Sequence, residues 1–127
     1  MFLIYTTFTF NDVSPSISDT FDKYLPTYIP QGFAIDSIRE IPKENIYIQL
    51  TNGNGTYYEV QCELHSSHLS IDTENGQITE LKIKNAYVTI SERKDRIIAI
   101  YTINNVFYSI SGNITKDVII KILESIP

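Results

Sequence analysis

The chain has one cysteine, one methionine, no tryptophan, and only five glycines and five prolines among its 127 residues. A single Cys62 excludes an internal disulfide and any zinc centre built on several cysteines, and it leaves the redox compartment open. So little glycine and proline excludes collagen-like and low-complexity chains. No stretch approaches the ~18 apolar residues in a row that a membrane-spanning helix needs. The apolar start, residues 1–5, lacks the basic beginning and the long apolar run of a signal peptide. Positive charge is short as well: ten Lys and Arg against fifteen Asp and Glu give a net charge of −5. That balance gives no field to draw the chain to phosphate backbones or anionic lipid, which argues against nucleic-acid binding. The small basic run of Arg93, Lys94 and Arg96 has no interleaved aromatics and reads as a solvated hairpin tip.

What is present is a strand former's composition. With 43% hydrophobic residues the chain can bury one core of its own, and isoleucine, nine Tyr and six Phe suit a half-buried pleated surface. Residues 1–10 alternate, with Phe2, Ile4, Phe8 and Phe10 on one side, and read as a strand. Pro15 and three serines break it, and Ser18 is placed to cap a short helical turn over residues 19–25. Pro26, Pro30 and Gly32 then make residues 24–33 a stiff, aromatic-lined connector. Residues 1–23 are read as an N-terminal strand and connector, and 24–127 as one α+β domain.

Turn chemistry sets the strand registers. A three-residue loop at Gly53-Asn54-Gly55 places Leu50 opposite Tyr58, Ile48 opposite Val60 and Ile46 opposite Cys62, so their apolar sides coincide. A Lys84-Asn85 turn sets Leu81 against Val88, and the charged 92–95 loop sets Val88 against Ala99 and Ile90 against Ile97. An Asn104-Asn105 turn sets Tyr101 against Tyr108. The resulting apolar face needs a cover, which the C-terminus supplies: Thr115 is a good N-cap, and Val118, Ile119, Ile122, Leu123 and Ile126 form one helical stripe. The expected architecture is a curved antiparallel β-meander of about six to eight strands, with that amphipathic helix on one face and a short N-terminal helical turn.

Three stretches carry a family resemblance: residues 69–76 (Leu-Ser-Ile-Asp-Thr-Glu-Asn-Gly), residues 101–115 from Tyr101 to the Thr115 cap, and the helix ending Ile122-Leu-Glu-Ser-Ile126. Together with the Pro30, Gly32, Phe33 order in the connector, they resemble domain-of-unknown-function family 4367 over about residues 24–126. Tyr101 stands where that family commonly has a tryptophan, and Asn105 replaces a turn glycine. The resemblance implies the extracytoplasmic part of a bacterial membrane-anchored protein, similar to anti-sigma-type regulators, with its anchor outside this chain. It implies no catalytic residues and no cofactor.

Candidate chemistry is sparse. Cys62, His65 and His68 are metal-ligand types, but Cys62 belongs to the inner side of its strand while Glu63 and His65 point outward, so only His65 and His68 meet readily. Asp72-Thr-Glu-Asn-Gly76 has its glycine one place early for a calcium loop, and Ile83 stands where the bidentate glutamate belongs. Asn54-Gly-Thr56 and Asn113-Ile-Thr115 match the glycosylation pattern but serve a turn and a cap. No nucleophile pairs with a base, so the chain reads as a non-enzyme. The sheet's second face carries Tyr87, Ile98, Ile100 and Phe107 among Thr and Ser, more apolar than a wetted face should be. These four are the candidate site of an extracytoplasmic sensor domain that binds a protein or an envelope-derived ligand. The competing readings are a metal-dependent hydrolase around His65 and His68, and self-association of copies through the residue 1–10 strand.

Overall fold

The computed structural model describes residues 19–64 and 76–127. Its elements are α1 (Asp19–Asp22), β1 (Ala34–Ile41), β2 (Asn45–Thr51), β3 (Tyr57–Glu63), β4 (Gln77–Ile83), β5 (Ala86–Glu92), β6 (Ile97–Ile103), β7 (Val106–Gly112) and α2 (Lys116–Glu124). The seven strands form one open sheet in the order β1-β2-β3-β7-β6-β5-β4, and every neighbouring pair is antiparallel. The architecture is α+β, as the strand patterning and the C-terminal stripe require. The meander is interrupted once. β1-β2-β3 and β4-β5-β6-β7 are each continuous hairpin runs, but they join through β3 and β7, so β3 and β4 run parallel with three strands between them.

Alternation and turns account for the registers. Leu50 faces Tyr58, Ile48 faces Val60 and Ile46 faces Cys62; the loop closes through Asn52 N–H to Thr56 O at 3.1 Å, with Gly53 and Gly55 at φ 81° and 92°. Leu81 faces Val88, and Tyr101 faces Tyr108. Both of these hairpins turn on two left-handed residues, Lys84 and Asn85 in one, Asn104 and Asn105 in the other, the backbone that a two-residue hairpin loop demands.

The β5–β6 hairpin differs from expectation. Val88 lies opposite Tyr101 and Ile90 opposite Ala99, a shift of two residues. The expected register implied a two-residue loop at Arg93-Lys94, and bulky residues resist the positive φ such a loop needs. The chain makes a four-residue loop instead, closed by Arg93 N–H to Arg96 O at 2.8 Å. A shift of two keeps side-chain parity, so the same residues still face inward.

The inner face is the core. Ile46, Val88, Ile90, Ala99, Tyr101, Tyr108 and Ile110 are buried on the sheet side, and Ile119, Ile122, Leu123 and Ile126 are buried on the helix side. Thr115 caps α2, its hydroxyl accepting the Val118 N–H. Gly112 ends β7 pressed against β3, where an added Cβ would stand 2.2 Å from the Tyr57 carbonyl oxygen.

One helix cannot cover this sheet. Nine residues give α2 a length of about 14 Å, whereas seven strands at about 4.8 Å spacing span about 29 Å. α2 packs over β6. The inner side of β1–β3 is left for the N-terminal segment: Phe21 and Leu25 are buried in the common core, and the Phe33 ring stacks at a tilt on Tyr58, centroids 5.3 Å apart.

Candidate functional site

Where the connector crosses β1–β3 it does not close down completely, and a cleft of about 210 Å³ remains. Its floor is the inner side of three strands: Ile35 of β1, Ile48 and Leu50 of β2, Tyr58 and Val60 of β3. Strict alternation puts these residues there, with Ile48 against Val60 and Leu50 against Tyr58. The roof is residues 25–29, Ile122 of α2 closes one side, and Asp22 stands on the rim.

Proline and a serine latch hold the roof. Pro26 and Pro30 keep the residues before them extended, and Gly32, at φ 88°, turns the chain into β1. The Ser125 hydroxyl accepts the backbone N–H groups of both Thr27 and Tyr28 at 3.0 Å and donates its own proton to the Ile122 carbonyl at 2.7 Å. The Thr27 hydroxyl returns a bond to the Ser125 carbonyl at 3.1 Å. Further back, the Tyr108 hydroxyl, on the central strand, donates to the Tyr24 carbonyl at 2.7 Å. The connector is therefore tied to the C-terminus of α2 and to the middle of the sheet.

The cleft is chemically quiet. Among the described residues Asp22 is its sole charged lining residue. Burial, with Tyr28 adding to it, holds the Tyr58 phenol well above the usual tyrosine range, so it stays protonated. Cys62 lies farther down the same inner face, fully buried. Burial pushes its thiol up to about 12, which leaves it no thiolate at neutral pH. The aromatic, aliphatic and prolyl walls suit binding by exclusion of water.

The four residues picked from the sequence share the second face but not an environment. Ile98 and Ile100 are half-buried two places apart on β6. Phe107 is only 3% exposed. Tyr87 is 70% exposed, with the Lys82 ammonium 5.1 Å above its ring. On the same face Ser91 is buried with its hydroxyl unpartnered. The chain entering β4 lies against it, for a Cβ at Gly76 would come within 2.6 Å of that hydroxyl oxygen. Toward β1–β3 the face turns polar, with Glu59, Gln61, Glu63, Gln49 and Arg39 in register across it.

His65 and His68, and the residue 1–10 strand, lie outside the described residues. Among the described residues no cluster of three His, Cys, Asp or Glu is placed to hold a metal. The basic loop residues Arg93, Lys94 and Arg96 are exposed at the β5–β6 tip, and nearby Lys116 pairs with Glu92 at 3.7 Å.

Residue-by-residue reading missed the cleft, although its signal is present in the sequence. A five-residue helical stripe is too narrow for the apolar sides of seven strands, and the connector, with Tyr24, Tyr28, Ile29 and Phe33, is an apolar segment directly before β1 and able to cover part of the remainder.

No curated protein matches the chain. A family model does, over residues 23–126. That span opens at the connector, takes in the sheet and closes with the helix that latches the connector, so it contains all of the cleft's described lining except Asp22. The chain belongs to the family described as Domain of unknown function (DUF4367).

Proposed function

We propose that the chain is a non-enzymatic binding domain, the extracytoplasmic sensor of a bacterial membrane-associated regulator, which takes an apolar group of a protein or envelope-derived ligand into the cleft under residues 25–29. The observation that carries the reading is the cleft itself: a concave, largely apolar space of about 210 Å³ under a roof held by paired hydrogen bonds to Ser125. A preformed concavity with few polar groups is the usual form of a small-ligand site. Among the described residues no helix is long and apolar enough to cross a membrane.

The neutral fluorophore N-phenyl-1-naphthylamine tests it. The expected result is a saturable fluorescence rise with the intact chain, abolished by Val60→Phe, which fills the floor, in a protein whose circular dichroism is unchanged. If that variant unfolds, Leu50→Phe serves the same purpose. A chain that gives no saturable rise has no usable cleft, and the reading fails.

A further inference from the structure

Building on the binding reading above, we propose that the cleft receives a slender alkyl chain ending in an ammonium group, with Asp22 as the counter-ion at the rim. Size sets the first limit. About 210 Å³ lies below the roughly 300–1,000 Å³ of pockets that take drug-sized molecules, and leaves room for one small apolar group at a time, an aromatic ring system or a single unbranched chain. The walls set the second: Ile35, Ile48, Leu50, Val60 and Ile122 offer methyl and methylene surface with nothing for a polar tail to bond.

The head group follows from charge. Among the described residues Asp22 is the one charged residue type on the lining, and no cation pairs with it. Its neighbour Lys23 is directed elsewhere, its ammonium 5.3 Å from the centre of the Tyr24 ring. The rings of Tyr28 and Tyr58 line the same cleft, and an aromatic face attracts a cation and repels an anion. A carboxylate and two phenol rings around an apolar slot select a positive head over a neutral or negative one. The chain's net charge of −5 acts in the same direction at longer range.

The experiment displaces N-phenyl-1-naphthylamine from the full chain with decylammonium, decanol and decyl sulfate, each below its micelle-forming concentration. Decylammonium is expected to bind about five- to tenfold more tightly than decanol, and decyl sulfate more weakly than either. In Asp22→Asn the ammonium preference collapses to the decanol level while decanol itself is unchanged. Salt at 0.5 M narrows the preference in the unaltered chain, because a rim carboxylate is screened.

Equal binding of decanol and decylammonium, or a preference that survives Asp22→Asn, overturns the ammonium assignment and leaves the binding reading intact. Failure of all three to displace the fluorophore overturns the alkyl occupant altogether. If they compete only after Phe2, Ile4, Phe8 and Phe10 are each changed to Asp, the occupant is this chain's own N-terminal segment and the proposal falls.

Discussion

Cys62, Tyr58 and Tyr108 occupy the inner face of the two central strands, and burial raises the proton affinity of all three. For Cys62 the shift is from an ordinary value of 9.0 to about 12. The consequence for stability has a definite sign. Below pH 9 the thiol is protonated in the folded and unfolded chain alike, and its contribution is fully present. Between pH 9 and 12 the unfolded chain loses the proton while the folded chain keeps it, so stability falls as pH rises through that window. The two tyrosines, raised from 10.0 in the same direction, steepen the fall from pH 10 upward. Melting temperature is expected to be flat from pH 7 to 8.5 with respect to these groups and to drop progressively above pH 9. Cys62→Ala, though less stable at neutral pH, shows a shallower drop. A thiol reagent at pH 8 should label Cys62 only as fast as the sheet opens.

Ser125 illustrates how one side chain can join elements that the sequence holds 97 residues apart. Its hydroxyl accepts two connector N–H groups, so Ser125→Ala leaves the half-buried Tyr28 donor without its partner. A loss of about 1–2 kcal/mol is expected in denaturant unfolding. Amide exchange at Thr27 and Tyr28 should accelerate well beyond the global change, with β5 amides following only the global change. The latch also marks the limit of what the sequence discloses. Strands, hairpin turns and the α2 stripe were legible because each is local: Ile46, Ile48 and Leu50 alternate beside a Gly-Asn-Gly loop, and Thr115 precedes its own helix. The pairing of β3 with β7 was not legible, since nothing in Val60 or Ile110 names a partner fifty residues away. The β5–β6 register was readable only to within two residues, because parity fixes the face but a charged loop leaves its own length open. For the cleft, four of the floor residues, Ile48, Leu50, Tyr58 and Val60, were placed on one apolar side by the Gly-Asn-Gly register, while Ile35 had no partner in sequence to fix its face. The roof was recognised as a stiff connector, but its position depends on Ser125 and Tyr108, which no spacing rule links to it.

At the level of the whole molecule, the sheet is two antiparallel runs fused along a single seam between β3 and β7. Ile110 sits on that seam, fully buried, with Val60 on one side and Ala99 on the other. Ile110→Ala is expected to cost about 2–4 kcal/mol. Hydrogen exchange should show β2 and β6 losing protection together, as befits one cooperative unit. Loss confined to one run would mean that the two halves unfold separately. The order of the seam has a further consequence, for the life of the chain before it is finished. The central strand, β7, is the last strand of the sheet to be made. Until residues 106–112 emerge from the ribosome, or from whatever pore the chain passes through, β3 has a naked edge and β6 has only one neighbour. Completion of the sheet therefore waits for its last strand, and a chain cut short before β7 offers two open edges to any other strand it meets.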